Sequence, residues 1–317
     1  MRSFPPDLSE IRGQETAKRA LEVALTGGHH LLLIGPPGVG KTMLAETVPG
    51  LLPPLEPDEE LALKTISTLC GGDGKSPLHQ PFRRPPPTTS AEAMIGGTAE
   101  GPPGEVSLAH AGVLFLDDLP SFQRAALDGL RGPLARREVP VGGTSREAHP
   151  ARFILIAAMN PCPCGWRRDE IQRCRCTKRE ITRYLQPVAG ALLDRIDLRV
   201  WVPRVKLKEL RSGAGESSET VARRVAAARR LQIDRWGKLN AELNPNGESP
   251  HLQLDKAGRD LFERAVEKLG FSARELASAV KVARTVADLG SRDSIRPAHL
   301  AEAFQYKAQS LDSPLLQ

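Results

Sequence analysis

Eight consecutive residues, GPPGVGKT, have the types and spacing needed to bind the phosphates of a nucleotide. The segment matches the pattern G-x-x-x-x-G-K-[ST] at every fixed position. Its glycines let backbone N–H groups close around phosphate oxygens, its lysine neutralises charge on the β- and γ-phosphates, and its threonine hydroxyl can ligate Mg²⁺. The predicted phosphate-binding residues are Gly35, Pro36, Pro37, Gly38, Val39, Gly40, Lys41 and Thr42. The alternative is a Gly/Pro turn that fits the pattern by accident.

Two carboxylates follow the apolar run at residues 113–116. Asp117 and Asp118 stand where that run ends, and an apolar strand with a terminal acid is typical of a Walker B segment. Asp117 would hold Mg²⁺ through water; the alternative is an acidic strand-to-helix turn in which an Asp caps a helix at Pro120. Asn160 ends the next apolar run, where its side chain can orient an attacking water molecule. A lone Asn is more often a turn residue, so this role depends on the phosphate-binding segment.

Four cysteines lie within fifteen residues, at Cys162, Cys164, Cys174 and Cys176. Four thiolates suit a tetrahedral Zn²⁺ site in ligand number and softness. Two further interpretations stay open, namely free structural thiols and redox pairing. A disulfide framework would instead spread cysteines through a small secreted chain.

Basic residues surround these cysteines. They are Arg167, Arg168, Arg173, Arg175, Lys178, Arg179 and Arg183. Trp166 adds an aromatic plane on which a nucleic-acid base can stack. A solvated basic face is the alternative. No base-reading motif is present, so any DNA binding should be led by phosphate contacts and should weaken with salt.

Short apolar runs predict the strands that position these groups. Runs at residues 30–34, 113–116, 153–158 and 200–202 are bounded by Gly, Asp, Asn or Pro, which is typical of buried strands in a parallel sheet. A short helical stretch at residues 43–48 follows the phosphate-binding segment, which is the context that the motif requires. The first two-thirds of the chain are therefore predicted to be an α/β domain.

The last third has a different pattern. Residues 212–218 have the composition of a flexible linker, and apolar residues at helical spacing follow. Ser272 begins a capping box that opens a long helix, and Pro297 stands where a first-turn proline belongs. We predict a domain boundary near residue 203, with an α/β domain over 1–203 and a helical domain over 204–317.

Composition excludes several classes of protein. The chain has 317 residues, of which 40% are hydrophobic and 26% charged, with a net charge of +6. The longest apolar run, residues 153–159, is far shorter than the ~18 residues of a membrane-spanning helix, and the N-terminus has no apolar signal region. A membrane, secreted or fibrous protein is disfavoured, and we expect a cytoplasmic protein without a membrane partner.

The order of these motifs, followed by LDRID at residues 193–197, resembles an AAA+ ATPase. The segments GQETAKRA at residues 13–20, GEVSLAH at residues 104–110 and AAMNPCPCG at residues 157–165 are similar to those of the magnesium-chelatase-related, helix-2-insert branch, and within it to ComM/YifB-type proteins. The resemblance implies an AAA+ P-loop NTPase core with a parallel sheet, followed by a small all-helical lid domain. It also implies ATP and Mg²⁺ at the interfaces of a ring, with a hexamer expected.

Individual roles follow from the resemblance. Arg195 matches the arginine finger, which is donated to a neighbouring subunit's ATP, and Arg274 matches sensor 2, which in this branch can also serve a neighbour's site. Residues 11–14 would lie near the adenine. A helix-2 insert near residues 94–108 and a hairpin near residues 136–152, with Arg146 near its tip, would face the pore, and the Cys-rich insertion would span residues 162–176.

The chain departs from that family pattern in three ways. The family carries a Lon-protease-like domain before the ATPase, whereas this chain begins almost at the ATPase. Paired histidines are expected after the Phe-Arg segment, but residues 85–89 read PPPTT. Asp118 stands where a Glu usually aligns and activates the attacking water. These departures weaken the prediction of full helicase activity. They weaken the prediction of an AAA+ fold less.

The resulting functional prediction is an ATP-hydrolysing ring motor that acts on DNA, of the helicase or branch-migration type, with recombination or uptake proteins as partners. One alternative is a chelatase-type motor for metal insertion. The others are a remodelling chaperone that does not act on DNA, and a nucleotide-binding module with weak ATPase activity.

Overall fold

Short, mostly apolar strands form a five-stranded parallel sheet at the centre of the protein. The computed structural model describes residues 5–72, 79–98, 101–142, 147–188, 190, 192–211, 213–244, 252, 254–269 and 271–308. The strands are β1 (Leu31–Ile34), β2 (Phe82–Arg83), β3 (Val113–Asp117), β4 (Glu138–Pro140), β5 (Ala148–Pro150), β6 (Ile154–Met159) and β7 (Leu198–Trp201). The first seven helices are α1 (Glu15–Gly27), α2 (Lys41–Glu46), α3 (Pro57–Leu69), α4 (Ala91–Ile95), α5 (Glu105–Leu108), α6 (Arg124–Gly129) and α7 (Arg131–Arg136). The others are α8 (Lys178–Leu185), α9 (Leu207–Leu210), α10 (Ser218–Trp236), α11 (Lys256–Leu269), α12 (Ala273–Leu289) and α13 (Pro297–Ala308).

The sheet has the strand order β2-β3-β6-β1-β7, and every pair is parallel. All four residues of β1 are buried, because neighbouring strands and packed layers cover this central strand on all sides, and this explains its unbroken apolar sequence. The four predicted strands are present within one or two residues of their predicted ends. The edge strand β2 was not predicted, since two residues carry no periodic signal.

Parallel pairing brings three polar segments to one edge of the sheet. The phosphate-binding segment follows β1, Asp117 ends β3, and Asn160 follows β6. Leu33 pairs with Ala158, and Ala158 pairs with Asp117, so the three strand ends lie in register.

The helix after the phosphate-binding segment differs from its prediction. A helix was predicted at residues 43–48, whereas α2 begins at Lys41 and ends at Glu46, and a separate 3₁₀ turn covers Val48–Gly50. Pro49 explains the break, because it has no N–H to donate and disfavours helical geometry at the preceding residue.

The C-terminal helices pack against the sheet side through α1 and β7. Val225 of α10, Ala283 of α12 and Phe304 of α13 share one apolar cluster with Leu31 of β1. Ser272 caps α12 in the predicted capping box, and Pro297 is the first residue of α13, as predicted. The predicted fold class, an α/β core with a parallel sheet followed by helices, is confirmed.

The predicted hairpin and insert lie side by side. β4 and β5 pair antiparallel, while the predicted tip residue Arg146 lies outside the described residues. The segment from α4 to α5 corresponds to the predicted insert. The backbone N–H of Gly142 donates to the carbonyl of Gly97 at 2.9 Å, and a Cβ at Gly97 would lie 2.8 Å from Cγ1 of Val139. The insert and the hairpin are therefore in direct contact.

Among the described residues, none of the helices combines the length and apolar character needed to span a membrane.

Candidate nucleotide site and the cleft at the opposite edge

The phosphate-binding loop has an open, glycine-lined backbone. Gly38 and Gly40 have φ angles of +76° and +95°, and a Cβ at either position would meet nothing within 4 Å. These left-handed conformations favour glycine over residues with a side chain. The open space beside them lets a phosphate approach the backbone N–H groups closely, so the loop fits the phosphates that its sequence predicts.

Lys41 points back into this loop. Its ammonium donates to the carbonyl oxygens of Gly35 and Pro36, each at 2.7 Å, and to Oδ1 of Asn160 at 3.1 Å. Burial lowers the pKa of Lys41 to about 8, against the opposing charges of Asp117 and Asp118. A phosphate anion beside the ammonium would favour its charged form.

Thr42 and Asp117 meet as a Mg²⁺ site requires. Oγ1 of Thr42 donates to Oδ2 of Asp117 at 3.1 Å. Hydroxyl and carboxylate oxygens are the ligands that Mg²⁺ prefers, together with water and substrate phosphates. The donor set therefore fits Mg²⁺·ATP, with Thr42 and Asp117 on the metal side and the loop on the phosphate side.

Asp118 has an unusual backbone conformation. Its φ is +59°, in the left-handed region, and it is the N-cap residue of a 3₁₀ turn at Leu119–Ser121. The hydroxyl of Ser121 donates to Oδ2 of Asp118, and the side chain makes no hydrogen bond to the backbone of the turn. Asp tolerates this region better than most residues with a side chain, which gives a backbone reason for Asp at this position.

Gln14 connects the start of the chain to the loop. It is 8% exposed, and its Nε2 donates to the carbonyl oxygens of Val39 at 3.3 Å and Pro203 at 2.7 Å. Its Oε1 is buried and has no partner among the described residues. Gln14 thus ties residues 11–14, which are predicted to lie near the adenine through backbone contacts, to the phosphate-binding loop.

The four predicted metal-binding cysteines come together. The sulfur atoms of Cys162, Cys164, Cys174 and Cys176 all lie within 4.8 Å of one another, and Cys162 Sγ is 3.4 Å from Cys164 Sγ and 3.6 Å from Cys174 Sγ. Burial raises the pKa of the Cys162 thiol to about 12. At Cys164 burial acts the same way, but backbone N–H groups of Trp166 and Arg175 outweigh it and lower the pKa to about 6.

The cysteine segment is anchored to the end of β7 by Arg204. The guanidinium of Arg204 lies 4.9 Å from the ring centroid of Trp166, and its Nε is 2.6 Å from Oδ2 of Asp169. Trp166 is thus partly covered by Arg204, and the predicted stacking on a base would require this contact to open. Six of the seven predicted basic residues of this segment are exposed, namely Arg168, Arg173, Arg175, Lys178, Arg179 and Arg183.

Arg195 and Arg274 line one cleft of about 570 Å³. Other lining residues stand just before strands, including His30 before β1, Gly112 before β3 and Asp197 before β7. The cleft therefore lies at the edge of the sheet opposite the one that carries Lys41. Arg274 is 57% exposed, and burial and the nearby charge of Arg274 lower the pKa of Arg195.

Asp197 holds the Arg195 segment against the C-terminal helices. The hydroxyl of Ser278 in α12 donates to Oδ1 of Asp197, and Nζ of Lys307 lies 3.9 Å from the same oxygen. Burial alone would raise the pKa of Asp197, but a hydrogen bond from His29 and the charge of Lys307 outweigh it and hold the pKa far below its usual range. This ionised carboxylate explains why Arg195 and Arg274, from distant parts of the chain, share a cleft.

Sequence reasoning missed two groups at the nucleotide site. Arg84 donates to Oδ2 of Asp117 at 2.6 Å, and Tyr184 of α8 accepts a hydrogen bond from the backbone of Asn160 while burial raises its pKa. Arg84 was noticed only as part of a Phe-Arg segment. No local sequence pattern marks Arg84 or Tyr184, because each contacts residues of the site that are distant in the sequence.

The phosphate-binding loop, the Thr42–Asp117 pair and the parallel sheet with its helical C-terminal region define an AAA+ ATPase. The likeness to a full-length MCM homologue from Methanopyrus kandleri supports the fold, with a TM-score of 0.55 at 18% identity over 93% of this chain and 55% of that one. The chain belongs to the magnesium chelatase subunit ChlI family. Its model matches residues 7–210, and the model of the ChlI C-terminal region matches residues 215–307.

Two named bacterial relatives are similar over almost all of this chain. YifB of Escherichia coli (strain K12) is 44% identical over 312 residues, which are 97% of this chain and 61% of that protein. Competence protein ComM of Haemophilus influenzae is 41% identical over 307 residues, which are 95% of this chain and 60% of that protein. The chain thus spans about three-fifths of the length of these relatives. The predicted resemblance to the magnesium-chelatase-related branch is confirmed.

Proposed function

We propose that this AAA+ ATPase is a ring motor, with six subunits, that hydrolyses ATP between subunits and moves DNA in the cytoplasm. The observation that carries the ring is the separation of Lys41 from Arg195 and Arg274. β1 has four residues, so its first and last residues are ~10 Å apart at 3.3 Å per residue. The location of both arginines at the far end of the strands supports a role toward the nucleotide of the next subunit.

Each residue at the phosphate edge then has a role toward ATP. Lys41 exchanges its carbonyl partners for β- and γ-phosphate oxygens. Thr42 and Asp117 would hold Mg²⁺, which would neutralise charge on the phosphates when bound. Asn160 holds the attacking water, and Asp118 stands where a general base would accept its proton, on a side chain one methylene shorter than that of Glu. Arg195 and Arg274 of the adjacent subunit stabilise the charge that develops on the transferred phosphoryl group.

DNA is proposed as the substrate of the motor on two grounds. The exposed basic residues of the cysteine segment form a surface suited to phosphates, and the family resemblance implies that the insert and the hairpin face the pore of the ring. The name of the Haemophilus influenzae relative, competence protein, agrees with a role in DNA uptake. Phosphate-led contacts make the interaction dependent on salt rather than on sequence.

The test is the ATPase rate with and without a four-way DNA junction, at low and moderate salt. We expect stimulation that falls as salt rises. Replacing Arg173, Arg175, Lys178 and Arg179 with Ala should remove the stimulation and leave the basal rate. The matched control replaces four exposed basic residues of the C-terminal helices with Ala, namely Arg223, Lys256, Arg259 and Arg264. Steady basal hydrolysis that no DNA form stimulates would contradict a DNA substrate.

A zinc ion held by the four cysteines is part of the same proposal. Four sulfur atoms within 4.8 Å of one another form a donor set for a closed tetrahedral site, which is typical of structural zinc. With no open ligand position, such an ion would supply rigidity to the cysteine segment rather than chemistry at the phosphates.

A chelatase-type motor is the second candidate, because both family models that match the chain are those of a magnesium chelatase subunit. Such a motor would drive a metal-inserting partner and would not respond to DNA. A nucleotide-binding module with weak hydrolysis is favoured only by Asp118. The junction experiment separates the first candidate from both of these.

A further inference from the structure

Arg84 occupies a position at the nucleotide site that none of the proposed roles explains. Its Nη2 lies 2.6 Å from Oδ2 of Asp117, and its Nη1 lies 2.8 Å from Oε1 of Glu46. Thr42 donates to the same oxygen of Asp117. The guanidinium therefore stands beside the oxygen and the hydroxyl that are proposed to face Mg²⁺.

The surroundings hold this arginine in position. Its guanidinium lies 5.6 Å from the ring centroid of Phe115, a buried residue two positions before Asp117 on β3. Side chains two positions apart on a strand share one face, so the ring and the carboxylate form one platform for Arg84. Three prolines follow at residues 85–87 and restrict the backbone of Arg84 to extended conformations.

The charges of the site make the contact with Asp117 replaceable. Arg84 pairs with Asp117 and Glu46, while Lys41 lies in the field of Asp117 and Asp118. When Asp117 turns to a divalent cation, Arg84 keeps Glu46 but loses its second anion. A terminal phosphate beside Thr42 is the nearest anion that Mg²⁺·ATP brings, and the guanidinium fork matches phosphate geometry.

Building on the proposed ATP site, we infer that Arg84 is a γ-phosphate-binding residue contributed by the same subunit as Lys41. Without nucleotide it pairs with Asp117. With Mg²⁺·ATP it exchanges Asp117 for an oxygen of the terminal phosphate, while Glu46 and Phe115 hold the rest of the side chain. Arg84 therefore distinguishes ATP from ADP, because only ATP carries the phosphate that it reaches.

Calorimetry with Mg²⁺ and either ADP or the non-hydrolysable β,γ-imido analogue of ATP tests this inference. Arg84→Ala should weaken binding of the analogue ~10- to 100-fold, as expected for a charge-assisted hydrogen bond. ADP binding should change by less than about twofold. Arg84→Lys keeps the positive charge but not the forked N–H donors of the guanidinium, so its affinity for the analogue should fall by less. Arg124→Ala removes an arginine whose side chain is 69% exposed and should change neither affinity.

Equal losses for ADP and the analogue would overturn the inference. So would tighter binding of the analogue by Arg84→Ala, which would mean that Arg84 only competes with Mg²⁺ for Asp117. Failure of the unsubstituted protein to bind either nucleotide would contradict the ATP site itself. The half-exposed Arg84 leaves no buried cavity when shortened, and the retained ADP affinity reports that the site is folded.

Discussion

Gly165 lies against Pro37: a Cβ on Gly165 would be 2.6 Å from Cδ of Pro37. Gly165 follows Cys164 directly, and Pro37 is inside the phosphate-binding loop. The cysteine segment therefore rests on the loop that binds ATP, with no space for even a methyl group between them. The conformation of one depends on the conformation of the other.

Gly165→Ala is expected to weaken ATP binding about tenfold or more, a change equivalent to ~1.4 kcal/mol, because the new methyl group displaces Pro37. Gly237→Ala is the matched control. Both glycines have left-handed φ angles, +81° and +67°, but a Cβ at Gly237 would meet nothing within 4 Å. Both variants carry ~1–2 kcal/mol of backbone strain, and only Gly165→Ala should change the affinity measured by calorimetry. Equal affinities in the two folded variants would contradict the coupling.

Zinc is expected at about one ion per chain, which is the stoichiometry of a four-thiolate site. Elemental analysis of protein purified without a metal-affinity tag measures it. Cys174→Ser should lose the metal, whereas Cys70→Ser should keep it, because Cys70 is exposed and outside the cluster. A zinc content near zero, with all five thiols titratable in the native protein, would refute the site.

Lys41→Ala is expected to abolish ATP binding or weaken it at least tenfold, since charge-assisted contacts to phosphate are lost. Lys64→Ala provides the control, because Lys64 is a half-exposed lysine on α3. Calorimetry of both variants against Mg²⁺·ATP measures the difference. Unchanged affinity in Lys41→Ala would remove the phosphate role from Lys41.

Asp118→Glu is expected to speed steady-state turnover at saturating ATP and Mg²⁺. The Asp carboxylate ends ~1.5 Å short of a Glu carboxylate, by one C–C bond, and general-base help worth ~10²–10⁴ in rate depends on direct contact with the water. Because the backbone at position 118 is left-handed, the Glu variant should also lose a little thermal stability. A slower Glu variant would mean that Asp118 is already a positioned base.

The parts of the site that come from contiguous sequence were predicted well. The phosphate-binding loop, Asp117 and Asn160 each follow an apolar run, and parallel pairing then brings strand ends to one edge. The capping box at Ser272 and the proline at position 297 were predictable for the same reason, since their signals involve only near neighbours. Each of these features depends on local chemistry.

Other contacts could not be read from the sequence. Arg84 reaches Asp117 across 33 residues of chain through a two-residue edge strand without periodicity. Gly165 contacts Pro37 only because the cysteine segment turns back over the loop. The predicted base-stacking role of Trp166 did not account for Arg204, whose guanidinium lies over the Trp166 ring. Arg204 follows β7 and is distant from Trp166 in the sequence. These relationships depend on the packing of distant segments, which residue types alone do not specify.

Mixing two inactive variants tests the central claim most directly, namely that ATP is hydrolysed between Lys41 of one subunit and Arg195 of the next. Arg195→Ala should bind ATP normally and hydrolyse it ~10³–10⁵ times more slowly, as for other arginine fingers. Lys41→Ala should not bind it. Mixed rings contain interfaces with an intact Lys41 on one side and an intact Arg195 on the other, so the mixture is predicted to regain ATPase activity that neither variant has alone. Rings confirmed to contain both variants, yet no more active than either variant alone, would contradict hydrolysis between subunits.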